Sequence, residues 1–156
     1  MDIDHRYAVR VEWTGNLGTG TSGYRAYSRD NLVTAVGNPP IEGSSDKPFF
    51  GTPERWNPEE LLLAALSQCH MLSYLHVALS HGVTVVAYED DATGTMQQTA
   101  NGGGHFTSVT LHPVVTIGGG DPELALSIHA EASEKCFIAA SVNFPVHHEP
   151  VIALAL

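Results

Sequence analysis

The chain has 156 residues, with 7 Lys and Arg against 17 Asp and Glu and a formal charge of −10. That is enough chain for one domain with a core and no disulfide staples, 43% hydrophobic residues exclude disorder, and the few scattered cations exclude a patch for nucleic acid or an anionic membrane surface. Charged residues make up only 15%, below the roughly 25% usual for soluble domains, which points to surface covered by another chain.

In chain order, the N-terminal run Met1-Asp2-Ile3-Asp4-His5-Arg6 is charged and has no apolar h-region. It predicts no secretory signal and a cytoplasmic address. Residues 5–14 alternate polar and apolar and read as a half-buried strand. The Gly- and Asn-rich stretch 15–23 is turn chemistry, and a second strand over 24–29 is expected to pair back as a hairpin. A third short strand is expected over 31–36. Residues 37–55, rich in Gly, Pro, Ser and Asp, read as a long loop of the kind that is mobile or functional.

The clearest element starts at Asn57. Asn57 can cap a helix, Pro58 suits its first position, and Glu59 and Glu60 sit where the dipole favours acids. No Gly or Pro interrupts Leu61 to Leu79, and Gly82 is a natural stop. Apolar residues occupy nearly the whole circumference, so the spacing predicts a buried helix of roughly 36 Å, too long for one small subunit. No unbroken apolar run is longer than Leu61 to Leu66, far short of the ~20 residues of a membrane span. Residues 83–97 and 105–117 read as strands, with Pro113 marking an edge or a bulge. Asp121-Pro122-Glu123 opens a second helix to about Lys135, and Val146 to Leu156 reads as a last strand. The predicted order is βββ-α-ββ-α-β, an α+β pattern over one domain, residues 1–156.

Chemistry has few places to reside. Cys69 lies mid-helix and Cys136 at the end of the second helix. By sequence alone they are either buried, inert residues or a reactive pair, and they form no C-x-x-C motif. The nine histidines show no ligand spacing: Cys69 and His76 are two turns apart, and His147 and His148 point to opposite faces of a strand. Gly102–Gly104 and Gly118–Gly120 lack a phosphate-loop fingerprint, and no G-x-S-x-G occurs.

The segment Asn57-Pro58-Glu59-Glu60-Leu61-Leu62-Leu63-Ala64-Ala65-Leu66-Ser67-Gln68-Cys69 closely resembles the central-helix signature of the OsmC/Ohr family, the osmotically inducible and organic hydroperoxide resistance proteins. Ala130-Glu131-Ala132-Ser133-Glu134-Lys135-Cys136 stands where the second family cysteine falls, and the element order follows the family over nearly the whole chain. The resemblance implies an intertwined homodimer, long central helices wrapped by antiparallel sheets. It implies a thiol peroxidase without metal or haem: Cys69 as the peroxidatic thiol attacking an organic hydroperoxide, Cys136 as the resolving thiol, and an external dithiol, lipoyl-type or a small thiol, as reductant. It also implies an Arg that stabilises the thiolate and a Glu that holds it. Glu59 matches the Glu; Arg25, after the glycine-rich turn, is the first choice for the Arg, followed by Arg29 and Arg55.

Physical chemistry supports those residue types. A free thiol is mostly protonated at neutral pH and more so when buried; a guanidinium favours the thiolate and itself needs a carboxylate partner when desolvated. Glu59 alternatively serves only the helix dipole, and Arg25 only a solvated strand. Ten helical residues separate Glu59 from Cys69 by roughly 15 Å, so the two meet only through a partner chain or through the Arg. Trp56 before the Asn, His70 after Cys69, Phe137 after Cys136 and the loop Gly43–Phe50 depart from the family pattern; His70 either shares a proton with the thiol or fills space. Met71, Leu72, Phe49 and Phe50 are expected to wall an apolar pocket suited to an alkyl substrate. Two rival readings are a non-catalytic relative that binds a small apolar ligand or senses oxidant, and a metal enzyme using the histidines.

Overall fold

A computed structural model of the protein describes residues 3–156; Met1 and Asp2, the first two residues of the charged N-terminal run, lie outside the described part. The chain divides into two compact units, residues 1–61 and 62–156.

The first unit is a three-stranded antiparallel sheet in the order β1 (Arg10–Trp13), β2 (Asn31–Thr34), β3 (Ile41–Gly43). The expected strand over 24–29 does not form. Only an isolated bridge joins Asn16 to Tyr27, and β1 pairs with β2 instead, Val11 opposite Val33. The cause is local: Arg29 Nη1 donates to the Tyr24 and Tyr27 carbonyls at 2.6 and 2.9 Å, and Trp13 Nε1 donates to the Ser28 carbonyl at 2.8 Å. The Tyr24, Tyr27 and Ser28 carbonyls are therefore taken by side-chain donors and not by a strand ladder. Gly15 is required there, since a Cβ would meet the Ser28 oxygen at 1.9 Å. The loop 37–55 is more ordered than expected, holding β3 and a 3₁₀ turn over Lys47–Phe49 capped by Asp46.

α1 runs from Pro58 to Ser80, as its caps predict. Glu60 N–H donates to Asn57 Oδ1 at 2.8 Å and Glu60 Oε2 accepts from Asn57 N–H at 3.3 Å, a reciprocal capping box. Gly82 takes φ +72 just past the end, where a left-handed residue closes a helix.

The second unit packs two three-stranded sheets. One has the order β4 (Thr84–Asp90), β7 (Pro113–Gly119), β9 (Val151–Leu154); the other β5 (Thr93–Gln98), β6 (Gly104–Leu111), β8 (Val146–His148). Each expected long strand is two strands in different sheets. Asp90 marks both breaks: its carboxylate accepts from Ser67 Oγ and from the His112 N–H at 2.6 Å. Pro113, with no N–H to donate, then opens β7. The second helix is likewise two short pieces, α2 (Pro122–Ser127) and α3 (His129–Glu134), hinged at Ile128.

α1 lies on both sheets. Tyr74, Val77 and Ala78 pack with Val115 and Ile117 of β7, Ala125 of α2 and Ala132 of α3; Leu66 packs with Val109 and Leu111 of β6. Each fully buried aliphatic side chain contributes about 1.5–3 kcal/mol. The helix is not buried all round, however. Ala64, Gln68, Leu72, Leu75 and Leu79 stay exposed, Leu72 at 57% and Leu79 at 77%. By length and composition α1 could cross a membrane, yet Leu66, His70, Tyr74, Val77 and Ala78 are buried inside the folded unit.

Candidate active site

The fold brings the two cysteines together. Cys69 sits at mid-length on α1 and is half-buried; Cys136 follows α3 and is 2% exposed. Burial, reinforced by a hydrogen bond with Cys69, pushes the Cys136 thiol up to about 11. The Ala139 N–H donates to Cys136 Sγ at 3.4 Å, which fixes the sulfur against the turn over Ala139–Ser141. Both are free thiols.

Cys69 opens on a cavity of about 640 Å³, lined also by Leu72, Ser73, His76, Glu134, Lys135 and Phe137. Of the expected apolar walls Leu72 is in place, whereas Met71 is not among the lining residues. Phe49 and Phe50 belong to the first unit, where Phe50 takes φ +62 and stacks on Tyr24 at 6.3 Å. Phe137, noted in the sequence only as a departure from the family pattern, supplies the aromatic wall. Lys135 is the sole Lys or Arg of residues 62–156. It pairs with Glu131, which also holds His81 at 2.8 Å; Lys135 first and His81 second draw the exposed Glu131 carboxyl below its usual range. Sequence spacing gave no signal for Ser73, His76 or Lys135, because the pocket forms across two helices.

The other candidates lie in the first unit. The capping role falls to Glu60, so Glu59 is not needed there, and Glu59 Oε2 is shielded from solvent with no hydrogen-bond donor among the described residues. A buried carboxylate oxygen in that state calls for a cation. Arg29 is occupied by two carbonyls and lies over the Tyr27 ring at 4.0 Å. Arg55 pairs with Asp30 at 3.6 Å and with Glu42 at 3.5 Å. Arg25 is exposed, and no carboxylate lies within ion-pair distance of it among the described residues.

His70 does not reach toward Cys69's cavity; its Nε2 lies 3.0 Å from His129 Nδ1. Among the described residues no group of three or more His, Cys, Asp or Glu side chains could hold a metal ion.

The profile of the OsmC family, OsmC-like protein, matches residues 51–150. The chain belongs to the OsmC family. Its fold is similar to that of an OsmC-like protein of unknown function from Vibrio cholerae, 29% identical with a TM-score of 0.84, covering 95% of this chain and 100% of that one. It is similar also to an organic hydroperoxide resistance protein from Elizabethkingia anophelis, 21% identical with a TM-score of 0.68 over 98% and 100% of the two chains. An organic hydroperoxide resistance protein from Legionella pneumophila is 18% identical with a TM-score of 0.68 over 96% and 99%. No curated protein matches the sequence. The α+β architecture is thus that of the family, whose members need no cofactor.

Proposed function

We propose that this OsmC-like protein is a cysteine-based peroxidase that reduces organic hydroperoxides to alcohols. The observation that carries the reading is the asymmetry of two facing thiols: Cys136 is buried and held protonated, while Cys69 opens on a largely apolar cavity. The Cys69 thiolate attacks the distal oxygen of ROOH; the O–O bond breaks, sulfur is oxidised to the sulfenic acid, and the alkoxide leaves as ROH on taking a proton. The Cys136 thiol then condenses with the sulfenic acid to a disulfide and water, and an external dithiol of lipoyl or small-thiol type restores both thiols by exchange.

The same reading assigns a homodimer. The exposed stripe Ala64, Gln68, Leu72, Leu75, Leu79 gives α1 an unpartnered apolar side, and a second copy covers it. In that dimer Arg25, steadied by the unsatisfied carboxylate of Glu59, serves the thiol of the other copy. The whole chain, 1–156, then acts as one OsmC-like domain, with a cytoplasmic setting keeping its thiols reduced. The test is turnover: purified protein should consume cumene hydroperoxide with a reduced lipoyl dithiol, and Cys69→Ser should not. A non-catalytic apolar-ligand protein, which the Leu72–Phe137 lining also suits, would lose its thiols slowly and without turnover.

A further inference from the structure

Three histidines converge inside the second unit. His70 on α1 is 2% exposed and His129 on α3 is 1% exposed, joined by the 3.0 Å contact. His148 on β8 stacks on His70 at 5.5 Å, and Tyr74 of α1 stacks on His129 at 3.9 Å. Neutral imidazole has one N–H, so one ring donates and the other accepts. His129 Nε2 is buried with no partner among the described residues, which costs stability whichever tautomer is present. An apolar pair of similar size would avoid that cost. The contact therefore does something that packing alone would not.

Its position indicates what. Cys69 immediately precedes His70, and Cys136 follows His129 by two helical turns. Besides apolar packing and the Tyr74 stack, two other side-chain hydrogen bonds join α1 to residues 129–136, Ser73 Oγ donating to the Lys135 carbonyl at 3.4 Å and His81 to Glu131 at 2.8 Å, and both are at exposed positions. The imidazole pair is the buried side-chain hydrogen bond between α1, which carries Cys69, and α3, which Cys136 follows, and it is directional where hydrophobic packing is not.

We propose that the His70–His129 hydrogen bond is a positioning clasp that sets α1 against α3 in the register that lets the Cys69 and Cys136 sulfurs join. The step it serves is closure: the Cys136 sulfur displaces hydroxide from the Cys69 sulfenic acid, the S–O bond breaks as the S–S bond forms, and the thiol proton leaves with the hydroxide as water. The inference rests on the thiol reading above, but its test needs no peroxide, so the two can fail separately.

The measurement is the equilibrium constant between the Cys69–Cys136 disulfide and dithiothreitol, in wild type and variants. His129→Phe keeps an aromatic ring and removes the hydrogen bond; because that bond is already made with both thiols free, the variant should lower the constant by more than about threefold and at most about tenfold, the ceiling set by one buried hydrogen bond. His129→Asn and His70→Gln place an amide where Nδ1 and Nε2 stood and should stay within about threefold of wild type. His81→Ala, which cuts an exposed tie, should change it less than about twofold. A Phe variant equal to wild type, or amide variants as weak as the Phe variant, would overturn the clasp. Should His129→Phe fail to fold, reciprocity supplies a wild-type test: if the clasp favours the disulfide, the disulfide favours the clasp. His70 and His129, followed by NMR among their neighbours Asp90, His148, Tyr74 and Tyr88, must then take up protons at lower pH in the oxidised protein than in the reduced one. Identical titrations in the two states would refute the proposal.

Discussion

Residues 1–61 and 62–156 differ in what they offer the proposed thiol chemistry. The second unit has the closed cores, both cysteines and the apolar cavity. Its sole Lys or Arg is Lys135, already paired with Glu131. The first unit has a thin, largely exposed sheet and all of the arginines, Arg6, Arg10, Arg25, Arg29 and Arg55. It also has a shielded carboxylate oxygen on Glu59 with nothing to satisfy it. A peroxidatic thiolate wants a permanent cation beside it. The difference teaches that the unit holding the thiols buries a core but has no unpaired Lys or Arg, so the proposed peroxidase draws its cation from an arginine of the kind the first unit carries.

The largest effect breaks the comparison at its centre. Cys69→Ser should reduce hydroperoxide turnover to background, whereas Cys136→Ser should keep the first oxidation and accumulate a sulfenic acid that a dimedone-type reagent traps. Next, Arg25→Ala should slow oxidation of Cys69 by about 10²-fold, the scale of losing one preorganised electrostatic contact, as read from stopped-flow thiol loss. If Lys135→Ala gives that loss and Arg25→Ala does not, the cation comes from the thiol's own unit and the proposed division is wrong.

A smaller effect tests the uncovered helix side. Leu72 and Leu79 are exposed, so Leu79→Asp should shift the protein from dimer to monomer in sedimentation at micromolar concentration while leaving the circular dichroism of α1 in place. The smallest is a pH dependence confined to the second unit. Burial, and after it the neighbouring histidines, hold His70 down at about 4 and His129 at about 3. An unfolded histidine takes its proton near 6.5. Between those values the unfolded chain binds more protons, so this contribution is complete above about pH 6.5 and lost as pH falls toward 4. The groups facing the pair are His148, Tyr74, Tyr88 and Asp90, and the Asp90 charge opposes the shift at His70 without reversing it. Urea midpoints should therefore decline from pH 6.5 to 4, and less so in His70→Gln.

Much of α1 and of the second unit is legible in the sequence because its signals are local. Asn57, Pro58 and Glu60 start α1 and Gly82 ends it, each acting within a few residues. The N-P-E…C interval placed Cys69, and the family order placed Cys136. What was not legible depends on contacts distant in sequence. The strand expected at 24–29 yields to Arg29 and Trp13 capturing its carbonyls. The two long strands break where Asp90 and His112 meet across 22 residues. His129 has no spacing relation to His70, and only the tertiary packing of α3 on α1 makes them a pair. The all-round apolar helix was read as wholly buried, but one chain covers only one side of it. That excess of apolar surface is what the proposed dimer would cover.

The most direct test is a free-thiol count on the reduced protein after one equivalent of cumene hydroperoxide, with Cys136→Ser alongside. Loss of both thiols within seconds in the wild type, and a single trapped sulfenic acid on Cys69 in the variant, is the expected result. Thiols that persist in both proteins would contradict the peroxidase reading and leave the Cys69 cavity as a site for a bound apolar ligand.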